Sequence, residues 1–507
     1  ILSKTSGVVT ATVSSDTASN LNTALINATS SDALTLTVTG TAAATDLTAL
    51  DGKTSVAVNA ASISLLTGTI AQVQAAYTAN TAGTITGLTD RAVKISDSSV
   101  TATDLNTLNS ATTGSIDASS VTSISGSGSD LVGIYGASSE ISGLGNENVS
   151  ITDTGTLASS IVTSIDAYTT GTVTLSGAGS LTLSSTAGQT VDLSGVTNSL
   201  SETLTINDST GNENITGTSG NDTINISSGS DTVNAGNGAD TINIAIDNLD
   251  NADRINGESG TDTLNLTSSG TLTSTDVTNV SGVETLNFSS GDDTFSFTDK
   301  TNFDSTIGKF STINGGSGTD SIDFSSAVNG DLDFSKLSSF ETLNLSGSAD
   351  TLTISGDEPS TINGGAGNDT FSLDFSNVSN FTIDGGANDD TVNITGTSSS
   401  ISSDTNIFGA GAFDNIETLD LTAVNLTVGS DTSDGGTNAE YTLTGSLINS
   451  WTSSNSLKLT LDADSASKLE FTNSAGTKYG GDDSDTTSIT NGTYTLDSGA
   501  ELIVNGL

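Results

Sequence analysis

Residues 216–244 read TGTSGNDTINISSGSDTVNAGNGADTINI and say nearly the same thing three times. Each unit gives Gly, any residue, Asp, Thr and an aliphatic residue. Asp222, Asp231 and Asp240 therefore stand nine residues apart, in a chain whose formal charge is already −48. A row of carboxylates repels itself unless something positive lies between its members.

The phrase extends outward from this stretch. An acid, usually Thr, then apolar, polar, apolar recurs at Glu202, Asp222, Asp240, Asp262, Glu284, Asp293, Glu341, Asp350, Asp369, Asp390 and Glu417. Alternation makes one face apolar, which is the period of a strand and not of a helix. Asp240, Asp262 and Glu284 are spaced by 22, while Asp320 to Glu341 and Asp369 to Asp390 are steps of 21. Such steps fit one turn of a parallel β-helix, and the nine-residue steps fit half-turns of a flatter coil. No such turn buries its apolar face alone, so neighbours must stack. Recurrence of the whole phrase argues against an ordinary antiparallel sandwich. The fold class predicted is all-β: a right-handed parallel β-helix or β-roll solenoid, with a few short helices in the N-terminal region.

Three regions are expected. Residues 1–200 form a β-rich region with a long period: TDLTAL begins at Thr45 and TDLNTL at Thr103, 58 positions on. Each copy reads as a short helix with Leu or Ile three apart, a corner, then alternating strands. Residues 69–80, TIAQVQAAYTAN, are the best helix candidate. GLGNENVSITDT, residues 143–154, reads as a Gly-Asn turn followed by a strand. Residues 201–429 form the regular coil. Residues 430–507 hold Trp451 with Tyr441, Phe471, Tyr479 and Tyr494, and read as a cap over the exposed end of the solenoid. Within the cap, SLKLTLDADSASKLEFTN alternates as a strand or hairpin, and Trp451 reads as the plug.

Composition excludes several function classes. Lys plus Arg is 11 against 59 for Asp plus Glu, so neither nucleic acid nor an anionic membrane surface finds a basic patch here. The natural small partners are cations. His is 0 and Cys is 0, which removes imidazole bases, thiolates and ordinary zinc or haem ligation. Met is also 0, so the chain reads as a mature or trimmed piece of something longer. No apolar run approaches 18 residues and no signal-peptide pattern opens the chain. If the protein is exported, its signal was removed or lies outside this sequence.

The corner at residues 362–373, INGGAGNDTFSL, carries the chemistry. Gly364, Gly365 and Gly367 permit left-handed backbone angles and leave carbonyl oxygens accessible. Asp369 ends the corner. Several carbonyls and one carboxylate are hard oxygen donors, the ligand set of calcium. One turn supplies too few ligands, but units 18 apart stack at about 4.8 Å. Asp222 and Asp240 then lie on one side and share a cation, while Asp231 lies on the other with Glu213. Folding is expected to be linked to metal.

These units resemble the nonapeptide G-G-x-G-x-D-x-U-x of RTX (repeats-in-toxin) proteins. GTSGNDTIN, ISSGSDTVN and NAGNGADTINI carry the resemblance, with NGGSGTDSIDF at Asn314, NGGAGNDTFSL at Asn363 and DGGANDDTVNI at Asp384. In the last, Asn388 stands where the third glycine belongs. The resemblance implies a calcium-bound β-roll exported by a type I secretion system. Carried over by position, the acids are Asp222, Asp231, Asp240, Asp320, Asp369 and Asp390. The corner glycines are Gly220, Gly229, Gly238, Gly316, Gly318, Gly365, Gly367 and Gly386. At Glu213 and Asp262 the motif is degraded and the resemblance carries no calcium to them. The ETLN turns lack the glycines and read as structural coils without metal. The Thr/Ser/Asn-rich style also resembles RTX-type bacterial surface-layer proteins and giant surface proteins of marine cyanobacteria.

The function expected is a structural extracellular protein of the bacterial surface, a layer or filament assembled from copies of itself with Ca2+ as the cofactor. A cell-surface polysaccharide is a further expected partner; nucleic acid and direct membrane insertion are not. The alternative is an adhesin segment of a large secreted RTX protein. No enzyme is expected, because Arg91 and Arg254 are isolated and Lys300 and Lys309 fall in a spacer.

Overall fold

The computed structural model describes residues 6–507 apart from 201–202, 357, 398–404, 407–411, 426–440, 444–447, 449, 453–455, 462–468, 473–474, 476, 481–486 and 497–499. Glu202, the acid that opens the first phrase, and the side chain of Tyr441 lie outside the described residues. The chain divides into two compact units. One comprises Ile1–Thr241 with Gly257–Gly260, the other Ile242–Asn256 with Thr261–Leu507.

The first unit opens as a coil with two strand faces and one helical face. Parallel strands Thr37–Ala43, Val58–Gly68, Ala92–Ile95, Ile116–Asp117 and Ile141–Ser142 stack in one sheet. Ser99–Thr101, Ser123–Gly126, Asn148–Ile151, Val173–Leu175 and Val196–Asn198 stack in a second. Helices Ala44–Asp51, Ile70–Ala82, Ala102–Ala111, Gly128–Gly136 and Ser159–Tyr168 form the third face, each packed on the next. The Leu and Ile pairs three apart do this work: Leu47 with Leu50, Leu105 with Leu108 and Val162 with Ile165 all point inward and are fully buried. The 58-residue period is two coils and not one. Ala44 to Ala102 and Ile70 to Gly128 are both 58 positions, and the two series interleave.

Helix Ile70–Ala82 matches the expected candidate and is capped at both ends. The Thr69 hydroxyl accepts from Gln72 N–H, the Gln72 side chain accepts from Thr69 N–H, and Gly83 closes the helix at φ 81°. Thr69→Ala should lower stability by about 1 kcal/mol, read as a shift of the denaturant midpoint at unchanged slope. The Gly143–Thr154 segment likewise gives the expected strand, with Val149 and Ile151 inward.

After Tyr168 strands replace the helices. Gly155–Ala158, Leu181–Ser184, Leu204–Asn207 and Asp222–Ile226 pair in parallel on one face, while Thr190–Asp192, Asn214–Thr216 and Thr232–Asn234 pair on another. The register sets Thr205 against Thr223 and Ile215 against Val233, both 18 apart. Two nine-residue units therefore make one coil, and Asp222 and Asp231 lie at opposite corners.

The second unit keeps the parallel coil with longer turns. Thr271–Thr273, Thr294–Phe297, Ser321–Phe324, Thr342–Asn344, Thr361–Asn363 and Thr382–Asp384 stack in one sheet. Asn329–Asp331, Thr351–Ile354, Thr370–Asp374, Thr391–Thr397 and Thr418–Asn425 stack in another. On the outward face the polar residue of the phrase forms amide ladders. Asn287 donates to Asn265 and Asn265 to Asn243 at 2.9 Å, and Asn363 donates to Asn344 at 2.7 Å.

Helix Lys300–Ile307 interrupts the coil. It buries Phe303 against Phe297, Phe324 and Phe334, with ring centroids 5.0, 5.7 and 5.4 Å away. The spacer lysines have structural partners: Lys300 pairs with Asp304, and Lys309 Nζ donates to the carbonyls of Val277 and Thr278.

Near the C-terminus the pairing changes. Leu469–Thr472 with Lys478–Gly480, and Gly492–Thr495 with Glu501–Asn505, are antiparallel. Ser456–Thr460 and Leu469–Thr472 do not form a hairpin with each other. The first is held in parallel by Thr418–Asn425 and Glu501–Asn505, the second by Tyr441–Leu443. Trp451 is fully buried, edge-on to Phe413 at 5.4 Å, which is packing and leaves no face for a sugar. Phe471, Tyr479 and Tyr494 form a separate aromatic group with centroids 4.7–5.4 Å apart. Among the described residues no helix is long and apolar enough to cross a membrane.

Candidate metal-binding corners

The phrase places its acid at the last residue of each corner, just before an inward-facing strand. A strand alternates, so the acid takes an inward position and is buried with the aliphatic residues. Asp222, Asp231, Asp240, Asp262, Asp320, Asp369 and Asp390 are all at most 3 % exposed. A carboxylate so placed must find donors.

For Asp231, Asp240, Asp320, Asp369 and Asp390 one oxygen finds them in the coil before. Asp222 N–H donates to Asp240 Oδ1 at 2.8 Å and Glu213 N–H to Asp231 Oδ1 at 2.8 Å. In the second unit Asp293 donates to Asp320, Asp350 to Asp369 and Asp369 to Asp390, at 2.7–2.8 Å. The glutamates of the ETLN turns and of ETLDL at Glu417 do the same. Asp262 N–H reaches Glu284 Oε2 at 2.7 Å, Asp320 reaches Glu341 at 2.8 Å and Asp390 reaches Glu417 at 3.0 Å. Those corners are shorter and turn on one left-handed residue, Gly282, Ser339 or Asn415. The extra methylene of Glu makes up the reach. Acid to backbone N–H is therefore a stitch between successive coils, and it accounts for one oxygen of each of these carboxylates without a metal.

The second oxygen divides the corners into two kinds. At Asp222, Asp293 and Asp350 the Ser or Thr four residues before the acid caps that oxygen. Thr218 N–H donates to Asp222 Oδ2 at 2.6 Å and its hydroxyl at 3.0 Å. Ser289 caps Asp293, and Ser346 caps Asp350, in the same way. Where that position is glycine the cap is missing. Gly316, Gly365 and Gly386 precede Asp320, Asp369 and Asp390 by four, and the Oδ2 of each of these acids is buried with no hydrogen-bond partner.

The glycines have two separate reasons. Gly316, Gly318, Gly365, Gly367 and Gly386 are left-handed, with φ between 96° and 142°, as is Gly238 at 133°. Asn388 takes the third glycine's place at φ 87°, a conformation Asn tolerates. Gly364 departs from expectation: it is not left-handed. It is glycine because a Cβ there would stand 2.4 Å from Gly385 O and 2.7 Å from Asp369 Oδ2. Gly315 and Gly385 repeat this against Asp320 and Asp390. Gly220 and Gly229 are not left-handed either, and a Cβ on Gly229 would meet Gly211 O at 1.4 Å.

In the glycine corners a carboxylate oxygen and a carbonyl oxygen of the next coil thus both lie within 3 Å of the Cβ position of Gly315, Gly364 or Gly385. The donor set suits a hard cation. Burial, the largest influence, pushes Asp369 up to about 6 and Asp390 up to about 7, and raises Asp320. Asp222 rises to about 6, again through burial, with Thr218 opposing. Asp222 and Asp240 do lie on successive coils of one side. Asp222, however, has the hydroxyl cap and lacks the donor-free oxygen of Asp320, Asp369 and Asp390.

Sequence reasoning missed the caps, although Ser or Thr four residues before an acid is a readable signal. It also missed Asp208, which sits outside the repeated phrase. No family model, curated protein or solved structure matches the chain.

Proposed function

We propose that the chain is a structural solenoid of the bacterial exterior whose glycine corners take calcium, and that copies of it assemble into a layer or filament. The observation that carries the calcium reading is the set of buried, donor-free Oδ2 atoms at Asp320, Asp369 and Asp390. Each faces a corner whose glycine leaves a carbonyl beside it. An anion buried beside further acceptors is unfavourable until a cation joins them. Extracellular calcium is abundant enough to fill modest sites of this kind, with dissociation constants of roughly 10⁻⁴–10⁻³ M. Near-continuous coils among the described residues favour a structural role, and the RTX-like corners favour export by a type I system.

Electron microscopy of the purified chain with calcium tests this reading. Ordered sheets or filaments that disperse on chelation are expected. Dispersed single particles that bind cell-surface glycans would instead select the adhesin.

A further inference from the structure

A second kind of acidic site lies in the first unit, at the corner opposite Asp222. Three successive turns stack there, residues 185–189, 208–213 and 227–231. They bring Asp208, Glu213 and Asp231 together, one carboxylate oxygen of each lying within 4.8 Å of the others. The donors around them are few. Gly188 N–H donates to Glu213 Oε1 and Glu213 N–H to Asp231 Oδ1. Ser227 N–H reaches Asp208 Oδ2 at 3.2 Å, and Ser185 Oγ reaches Asp208 Oδ1 at 3.4 Å.

Glu213 is 2 % exposed, yet its Oε2 is buried with no hydrogen-bond partner. No basic side chain is free to answer it among the described residues of the unit. Lys53 donates to Leu25 O, Arg91 pairs with Asp90, and Lys94 pairs with Asp117. Gly211 and Gly229 close the floor: a Cβ on Gly211 would stand 2.6 Å from Glu213 Oε1.

We propose that Asp208, Glu213 and Asp231 form a binding site for one divalent hard cation, calcium being the probe. Oxygens bound to one calcium at roughly 2.3–2.6 Å stand up to about 5 Å apart, and one oxygen of each of the three carboxylates falls within that range of the others. The site is not a glycine corner. Its ligands are three carboxylates, and Asp208 comes from the end of strand Leu204–Asn207 and not from the repeated acid position. Two of the three turns contribute acids and the third contributes donors that hold Glu213 and Asp208 in place. The cation therefore bridges the first repeat-like coils of the chain.

The test uses the full chain, stripped with chelator and then titrated with calcium chloride at pH 7.5, with bound ions counted by equilibrium dialysis. Asp208→Asn and Glu213→Gln should each remove one ion from the count or weaken that ion at least 100-fold. Asp369→Asn should leave this ion in place. A folded Asp208→Asn chain with unchanged count and affinities overturns the proposal. A chain that loses an ion with Asp369→Asn but not with Asp208→Asn fails this site and keeps the glycine corners; the opposite pattern does the reverse. Should the variants not fold, amide hydrogen exchange of the unaltered chain decides. Calcium should slow exchange at residues 208–213, and unchanged exchange there overturns the proposal.

Discussion

Removing divalent cations at pH 7.5 should lower the melting temperature by about 20 °C or more. A ligand at a hundred times its dissociation constant stabilises by about 2.7 kcal/mol per site. The three glycine corners give the second unit roughly 8 kcal/mol and the Asp208 cluster gives the first about 2.7 kcal/mol; units of this size shift by about 2–4 °C per kcal/mol, so the large shift is that of the second unit. The pH dependence of the stripped chain follows from the same carboxylates. Asp222 and Asp369 are raised to about 6 and Asp390 to about 7, all chiefly by burial. The folded chain then holds protons that the unfolded chain has released. The stability these groups contribute is complete below pH ~4, the unfolded value. It is lost as pH rises through 6 to 7. For Asp222 alone the change is on the order of 3 kcal/mol. Stripped protein should therefore melt higher at pH 5 than at pH 7.5, and calcium should shrink the difference by replacing the protons at Asp369 and Asp390, leaving the part that Asp222 contributes. Far-UV circular dichroism melts at both pH values check this. Coincident melts with and without chelator at pH 7.5 would sink the calcium reading.

The coil itself was legible because its determinants are local. Alternation of Thr-apolar-Asn-apolar sets an inward and an outward face, and recurrence at 18, 21 and 22 residues sets the stacking. What was not legible depends on the neighbouring coil. Gly364 reads as a conformational glycine, but its reason is the Gly385 carbonyl 21 residues away. The ETLN turns read as structural coils without metal, but the contact itself was not legible: Glu284 and Glu341, like Glu417 of ETLDL, make the same stitch as the aspartates. The 58-residue period was visible without revealing two coils inside it, since the alternate helices differ in sequence. Ile70–Ala82 has AQVQAAY where Ala44–Asp51 has TDLTAL. Asp208 was invisible for a different reason. Its partners are five and 23 residues on, and no repeat spacing links them.

The second large effect separates the two kinds of corner. Asp369 accepts Asp350 N–H through Oδ1, while its Oδ2 has no donor and lies beside Gly385 O at the surface of Gly364. Asp369→Asn keeps the accepting oxygen and turns the other position into a donor. In stripped protein at pH 7.5 it removes a buried charge and faces a donor toward an acceptor. It should stabilise by about 1–3 kcal/mol. With calcium it deletes a charged ligand and should destabilise by about 3 kcal/mol. Asp350 offers the contrast. Its Oδ2 already accepts the Ser346 N–H at 3.1 Å and hydroxyl at 3.0 Å. An amide there sets donor against donor, so Asp350→Asn should destabilise by about 1–3 kcal/mol with or without calcium. Denaturant titrations of both variants in calcium and in chelator give four numbers. Only a sign reversal at Asp369, absent at Asp350, fits a cation in the glycine corners and a hydroxyl standing in for it elsewhere.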